Sequence, residues 1–242
     1  MRPDDALLLK FRAAFAELGT AKRAREMQAY MKSEMPFHGV SMPDVRRTCR
    51  ALLAEVTFES LEAWREAVLA VWRGAKFREE RYAALAMTAL KQAKRFQTLE
   101  ALPLYEELIV TGAWWDLVDE VAVQRLPALL AAAPAELKQR LREWCRGDDL
   151  WKRRASIICQ AKARADTDLQ LLWDCIEPSL EAKGAKRVFW ERKAIGWALR
   201  ELARYRPAEV RRYLKEHDAQ LSGLSKREAA KGLARPAKGA VA

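Results

Sequence analysis

The sequence predicts an all-α protein: a HEAT-like helical-repeat solenoid, curved, with a concave basic groove. Three observations carry this expectation. Ala, Leu, Arg, Glu and Lys dominate the 242 residues, apolar residues recur at spacings of three and four, and no period-two strand pattern stands out. Gly and Pro breaks recur with a rhythm: helix starts near Phe77, Trp114, Asp149, Arg187 and Ser225 fall roughly 35–38 residues apart, the spacing of stacked helical pairs. Lys plus Arg number 44 against 33 Asp plus Glu, a net charge of +11, and such an excess favours a nucleic acid or another acidic surface as partner.

The elements follow in order. Leu7, Leu8, Phe11, Phe15 and Leu18 mark one face of a first helix that ends near Gly19. Asp44, after Pro43, starts another. These fall in an N-terminal helical cap of residues 1–57. Helix pairs then fill residues 58–234. Their first members start near Glu59, Ala101, Pro134, Asp166 and Pro207, and their second members at the five positions already named. Breaks are expected at Gly74, Pro103, Gly112, Pro134, Gly147, Pro178, Gly184, Pro207 and Gly223. Such pairs cannot bury their apolar faces alone, so residues 1–234 are expected to stack as one domain. Residues 235–242 read as a disordered basic tail.

Composition also removes whole classes of function. Cys49, Cys145, Cys159 and Cys175 are far apart and form no CxxC, which argues for reduced, buried thiols rather than structural zinc. With His38 and His217 as the only histidines, His-based metal sites and Ser-His-Asp hydrolysis are disfavoured. There is no Walker A string and no Gly-rich dinucleotide loop, so neither cofactor nor metal is expected. No apolar run is long enough for a bilayer and no signal peptide opens the chain. A soluble, cytoplasmic protein is expected.

The second helices share a pattern. Phe77 with Arg81, Trp115 with Asp119, Trp151 with Arg154, and Trp190 with Lys193 each place a polar group three or four residues after an aromatic, on one helix face. Stacked in phase, they would line a groove suited to a nucleic-acid backbone. The alternative is that the aromatics are core and the cations solvated. Within Gly112-Ala113-Trp114-Trp115-Asp116-Leu117-Val118-Asp119, Trp114 reads as packing and Asp116 as a helix-start charge. Trp115 and Asp119, one turn apart, read as chemistry; the alternative for Asp119 is a buried ion pair with a neighbouring Arg or Lys. Lys152, Arg153 and Arg154 place three cations in a first helical turn, against its dipole, and phosphate would explain them. Lys162, two turns on, would extend their face. Lys193 and Trp197 share another face. Gly196 sits mid-helix at a cost of about 1 kcal/mol relative to Ala, so a packing reason is expected.

Three strings carry a family resemblance: Gly112–Asp119; Leu150-Trp151-Lys152-Arg153-Arg154-Ala155; and Arg192-Lys193-Ala194-Ile195-Gly196-Trp197-Ala198-Leu199-Arg200-Glu201. With Tyr30-Met31-Lys32, Glu106–Thr111 and Leu224–Ala229 they resemble the AlkD-type DNA alkylation-repair glycosylases over about residues 25–235. The resemblance implies a HEAT-like fold on duplex DNA and cofactor-free excision of N3- and N7-alkylated purines, without strand nicking. It implies catalytic roles for Asp119, Trp115 and Trp197. It places Arg154, Lys162 and Tyr30 at the DNA, and the phased pattern of cations and aromatics adds Lys193, Arg153, Lys152, Trp190 and Arg227. The implied partner is double-stranded DNA containing alkylated purines; no membrane and no obligate protein partner are indicated, and a monomer is expected. The competing expectation is a non-catalytic HEAT-like nucleic-acid-binding protein or interaction scaffold, in which a carboxylate within a basic groove has no task.

Overall fold

A computed structural model describes residues 3–181 and 189–235. Among them are fourteen α-helices, three short 3-10 segments and no strand. The backbone groups into two compact units, residues 1–104 and 105–242.

The first unit holds α1 (Pro3–Leu18), α2 (Ala21–Met31), α3 (Met42–Leu52), α4 (Leu61–Gly74) and α5 (Arg78–Thr88). Phe11 and Phe15 of α1 are fully buried, as their spacing requires, whereas Leu18 stays exposed. Ser41 caps α3 by accepting from the Asp44 amide, which leaves Asp44 in the first turn. The first turn of α5 carries two buried carboxylates, Glu79 and Glu80, that the sequence did not flag. Glu79 accepts backbone N–H bonds from His38, Gly39 and Val40 at 2.9–3.0 Å. Glu80 takes Arg12 through two bonds at 2.7 and 2.8 Å, His38 Nε2 at 3.1 Å and the Lys76 amide at 2.7 Å. Phe77 stacks on His38 with centroids 3.9 Å apart, and Arg81 lies over Trp72. In this unit the paired aromatic and cation are therefore packing, because burying an aromatic face gains more than leaving it in water.

Burial alone would raise the Glu80 carboxyl, but the bonds from Arg12, His38 and the Lys76 amide outweigh it and hold its pKa down to about 2 against an ordinary 4.5. A carboxylate depressed by folding stabilises the folded state above its unfolded pKa, and that stabilisation is lost as pH falls through the folded value. The stability difference between wild type and Glu80→Gln is accordingly expected to be largest above pH 4.5 and to shrink between pH 4.5 and 2. Denaturant midpoints across that range check it; a pH-independent difference would remove the charge from the account.

The second unit contains α6 (Leu102–Gly112) from its fourth residue on, followed by α7 (Trp115–Gln124), α8 (Leu126–Ala132), α9 (Pro134–Arg146), α10 (Leu150–Ile158), α11 (Leu169–Glu181), α12 (Phe189–Ala203), α13 (Pro207–Glu216) and α14 (Gly223–Leu233). Its helices pair as a repeat protein's should. α7 packs on α10, α10 on α12 and α12 on α14; a second row runs from α9 to α11. Pro103, Pro134 and Pro207 each occupy one of the first two helical positions, where a missing N–H costs nothing.

Four expectations need correction. Pro178 does not break α11; the carbonyl it strands, that of Asp174, instead accepts the Cys145 thiol at 3.4 Å. The helix expected near Asp166 starts at Leu169, because a 3-10 turn, Arg164–Asp166, precedes it. An additional helix, α8, separates α7 from α9. Lys162 does not extend the Arg154 face, because α10 ends at Ile158 and Lys162 lies in the turn beyond. The start near Arg187, the break at Gly184 and residues 236–242 of the tail lie outside the described residues. All four cysteines are buried and free.

Gly196 has the packing reason expected of it. A Cβ there would lie 2.8 Å from Glu228 Cβ and 3.1 Å from Ser225 Cα. Gly232 of α14 returns the constraint, since its Cβ would meet the Arg200 carbonyl at 2.3 Å. Gly196→Ala is expected to destabilise by about 1–3 kcal/mol through overpacking, against its better helix propensity; urea denaturation decides, and a stabilised variant would refute the contact.

Candidate active site

α7 is capped by Trp114, whose backbone is extended and whose carbonyl receives the Val118 amide at 3.0 Å. Trp115 and Asp119 thus sit one turn apart on the same face, both partly exposed. Asp149 caps α10, its carboxylate accepting from the amides of Trp151 and Lys152 at 2.9 and 2.8 Å. This sets the direction of the three cations that follow.

Each of those cations is met by an acid from a different neighbouring helix. Lys152 bonds Glu106 of α6 and lies 5.7 Å from the Trp144 ring centroid. Arg153 bonds Glu191 of α12 and the Gly147 carbonyl. Arg154 grips Asp119 with both ends of its fork, Nε to Oδ1 at 2.7 Å and Nη2 to Oδ2 at 2.8 Å, and gives Nη1 to the Trp190 carbonyl at 2.8 Å. The conflict with the α10 dipole is thus resolved by protein carboxylates. The expected phosphate role of Arg154 meets a side chain only 3 % exposed and fully engaged, and the expected roles of Lys152 and Arg153 meet cations already paired. The ion pair weighed as the alternative for Asp119 is present.

Asp119 remains 17 % exposed at its side chain. Burial raises its pKa above the ordinary 3.8; Arg154 opposes this, Asp116 adds to it, and the net direction is upward. The indoles of Trp114, Trp151 and Trp190 form one cluster, which Arg154 meets at Trp190. Trp114 stands 6.1 Å from Trp151 and 5.4 Å from Trp190, and Trp151 stands 5.8 Å from Trp190. Trp114 is packing, as its position suggested. Trp151 is buried, so it lines no groove, and Trp190 is partly buried within the cluster with Arg154 5.7 Å from its centroid. Trp197 lies two turns after Trp190 on the same side of α12 and is partly exposed.

Lys162, Lys193 and Arg227 are exposed, with no acid bonded to them among the described residues. Tyr30, on α2 of the first unit, is 80 % exposed. The partners Glu106 and Glu191 escaped the sequence reading. For Glu191 a signal existed: the bonds joining successive second helices span about one repeat, 35 residues for Asp119–Arg154, 38 for Arg153–Glu191 and 33 for Ser225 Oγ to the Arg192 carbonyl, whereas Glu106 lies 46 residues from Lys152, off that period. Opposite charges one period apart are what stacked repeats bring together.

Fold and site together define a helical-repeat protein carrying a carboxylate–guanidinium centre beside indoles. The chain belongs to the DNA alkylation repair enzyme family, whose profile matches residues 11–233. Among solved structures it is similar to a predicted DNA alkylation repair enzyme from Enterococcus faecalis, with 27 % identity and a TM-score of 0.78, over 90 % of this chain and 97 % of that one. No curated protein matches the sequence. No helix among the described residues is long and apolar enough to cross a membrane.

Proposed function

We propose that this protein is an AlkD-type DNA glycosylase that hydrolyses the N-glycosidic bond of N3- and N7-alkylated purines in duplex DNA. The observation that carries the proposal is Asp119: a partly exposed carboxylate, aimed by a bidentate Arg154, one turn from Trp115 in a strongly basic chain. A binding protein for polyanions has no use for such a group; a reaction through a cation does.

The chemistry follows from the substrate. An alkylated purine is already cationic and leaves as a neutral base. Bond cleavage then leaves positive charge on the deoxyribose, as in glycoside hydrolysis. A fixed carboxylate stabilises that charge and orients the attacking water, which bonds to the sugar carbon and releases a proton. Indole faces at Trp115 and Trp197 add about 0.5–2 kcal/mol each for a cation held against them. Arg154 holds the Asp119 carboxylate in place and favours its charged form. No lysine is assigned as a Schiff-base nucleophile, so the strand is left intact.

Phosphate contacts fall to the exposed cations Lys162, Lys193 and Arg227, with Tyr30 as a further DNA contact. Alanine at any one of the three cations is expected to weaken duplex binding and to reduce the slope of log K against log salt by about one; an unchanged slope removes that residue from the backbone. The function itself is tested by incubating methylated duplex DNA with the protein and identifying the released bases. Free 3-methyladenine or 7-methylguanine with intact strands is expected, and binding without release would favour the non-catalytic alternative.

A further inference from the structure

We infer that Glu191 and Arg153 form a positioning clamp that sets the indole-bearing face of α12 against the Asp119–Arg154 centre. The inference rests on the proposed glycosylase activity for its kinetic consequence, though not for its structural one.

Glu191 is a carboxylate with a side chain only 5 % exposed, in the first turn of α12, and it bonds Arg153 of α10. A buried carboxylate is costly unless paired, and the first turn of α12 is where the helix dipole favours negative charge. Arg153 stands in the first turn of α10, where the dipole opposes it. The pair therefore relieves an unfavourable charge on one helix with a favourably placed charge on its neighbour. Arg153 is also tied to the Gly147 carbonyl at 2.7 Å, which anchors the clamp to the end of α9.

The residues beside this pair matter to the site. Arg154, next to Arg153, holds Asp119; Trp190, next to Glu191, gives its carbonyl to Arg154 and its ring to the indole cluster. Two crosslinks, Arg153–Glu191 and Arg154–Trp190, thus join adjacent residues of α10 to adjacent residues of α12. Two such points set the rotation of α12 relative to α10, alongside the close packing of α12 on α14 at Gly196 and Gly232. That rotation decides where Trp197, two turns along on the Trp190 side, is presented. Neither Glu191 nor Arg153 touches substrate in this account; both act through Trp190 and Trp197.

The test compares wild type, Glu191→Gln, Arg153→Gln and the double variant. Single-turnover base release from a methylated duplex oligonucleotide is followed at saturating protein. Binding of the unmodified duplex is measured across salt. Near-ultraviolet circular dichroism reports the Trp114–Trp151–Trp190 cluster. For a clamp, each single variant lowers the maximal rate by about 10- to 100-fold, the scale of a small misplacement. The double variant loses no more than either single, the salt slope is unchanged, and the tryptophan signal weakens while the far-ultraviolet spectrum holds. Three results overturn it: Glu191→Gln at the wild-type rate, a preserved tryptophan signal, or an Arg153→Gln variant that keeps its rate but loses about one unit of salt slope, which would make Arg153 a phosphate ligand. Absence of base release by wild type would refute the proposed function, and the tryptophan signal would still decide the clamp.

Discussion

Asp119→Asn is expected to abolish most base release while leaving DNA binding intact. Asn keeps the shape and can still accept a bond from Arg154, so the fold of α7 against α10 is retained. It cannot place a negative charge beside the deoxyribose as the bond breaks. Losing one preorganised electrostatic group of this kind costs about 10²–10³ in rate. Duplex affinity is expected to stay level or rise, because the substitution removes a negative charge from a chain of net charge +11. The same carboxylate is expected to set the acid limb of the reaction. In the proposed mechanism Asp119 works ionised and is silenced when protonated, so release is expected to fall as pH drops through its pKa. Burial places that pKa above the ordinary 3.8 despite Arg154. An acid limb above pH 3.8 is therefore expected in wild type and should be missing from the residual activity of Asp119→Asn. Equal release of methylated purines by the two proteins would sink the mechanism.

Arg154→Ala carries the largest expected loss of stability. Arg154 is 3 % exposed and its donors serve Asp119 and the Trp190 carbonyl. Truncation leaves a largely buried carboxylate without its counter-charge and empties a space beside the Trp190 ring. Removing one partner of such a pair costs about 3–5 kcal/mol. The Asp119 carboxyl should then shift further upward, as the opposing cation is gone. Urea unfolding at neutral pH measures the loss. Asp119→Asn combined with Arg154→Ala should cost less than the two changes summed, because the second no longer strands a charge. A loss below about 1 kcal/mol, typical of an exposed pair, would show that Arg154 is free to leave Asp119. Its place would then be on phosphate, as the family resemblance implies.

Much of the fold was legible because helices announce themselves locally. Pro134, Pro207, Gly112 and Asp149 fall where helix ends need them, and the starts near Phe77, Trp114 and Asp149 agree with the N-caps found. Pro178 misled, since the bond it deletes is replaced from another helix by the Cys145 thiol. Lys162 misled in the opposite way: periodicity alone carries α10 past Ile158, where the backbone turns instead.

The sequence by itself determined that the chain is helical, that Trp115 and Asp119 share a face, and that an unusual run of cations opens α10. Only the tertiary structure decided what those cations meet. Spacing along one helix specifies which side chains are neighbours on its surface. It does not say whether the charge opposite an arginine is a phosphate from outside or a carboxylate one repeat away. The packing of the helices brings Glu106, Glu191 and Asp119 to Lys152, Arg153 and Arg154. Pairing across helices is a tertiary property, which periodicity along one helix does not encode.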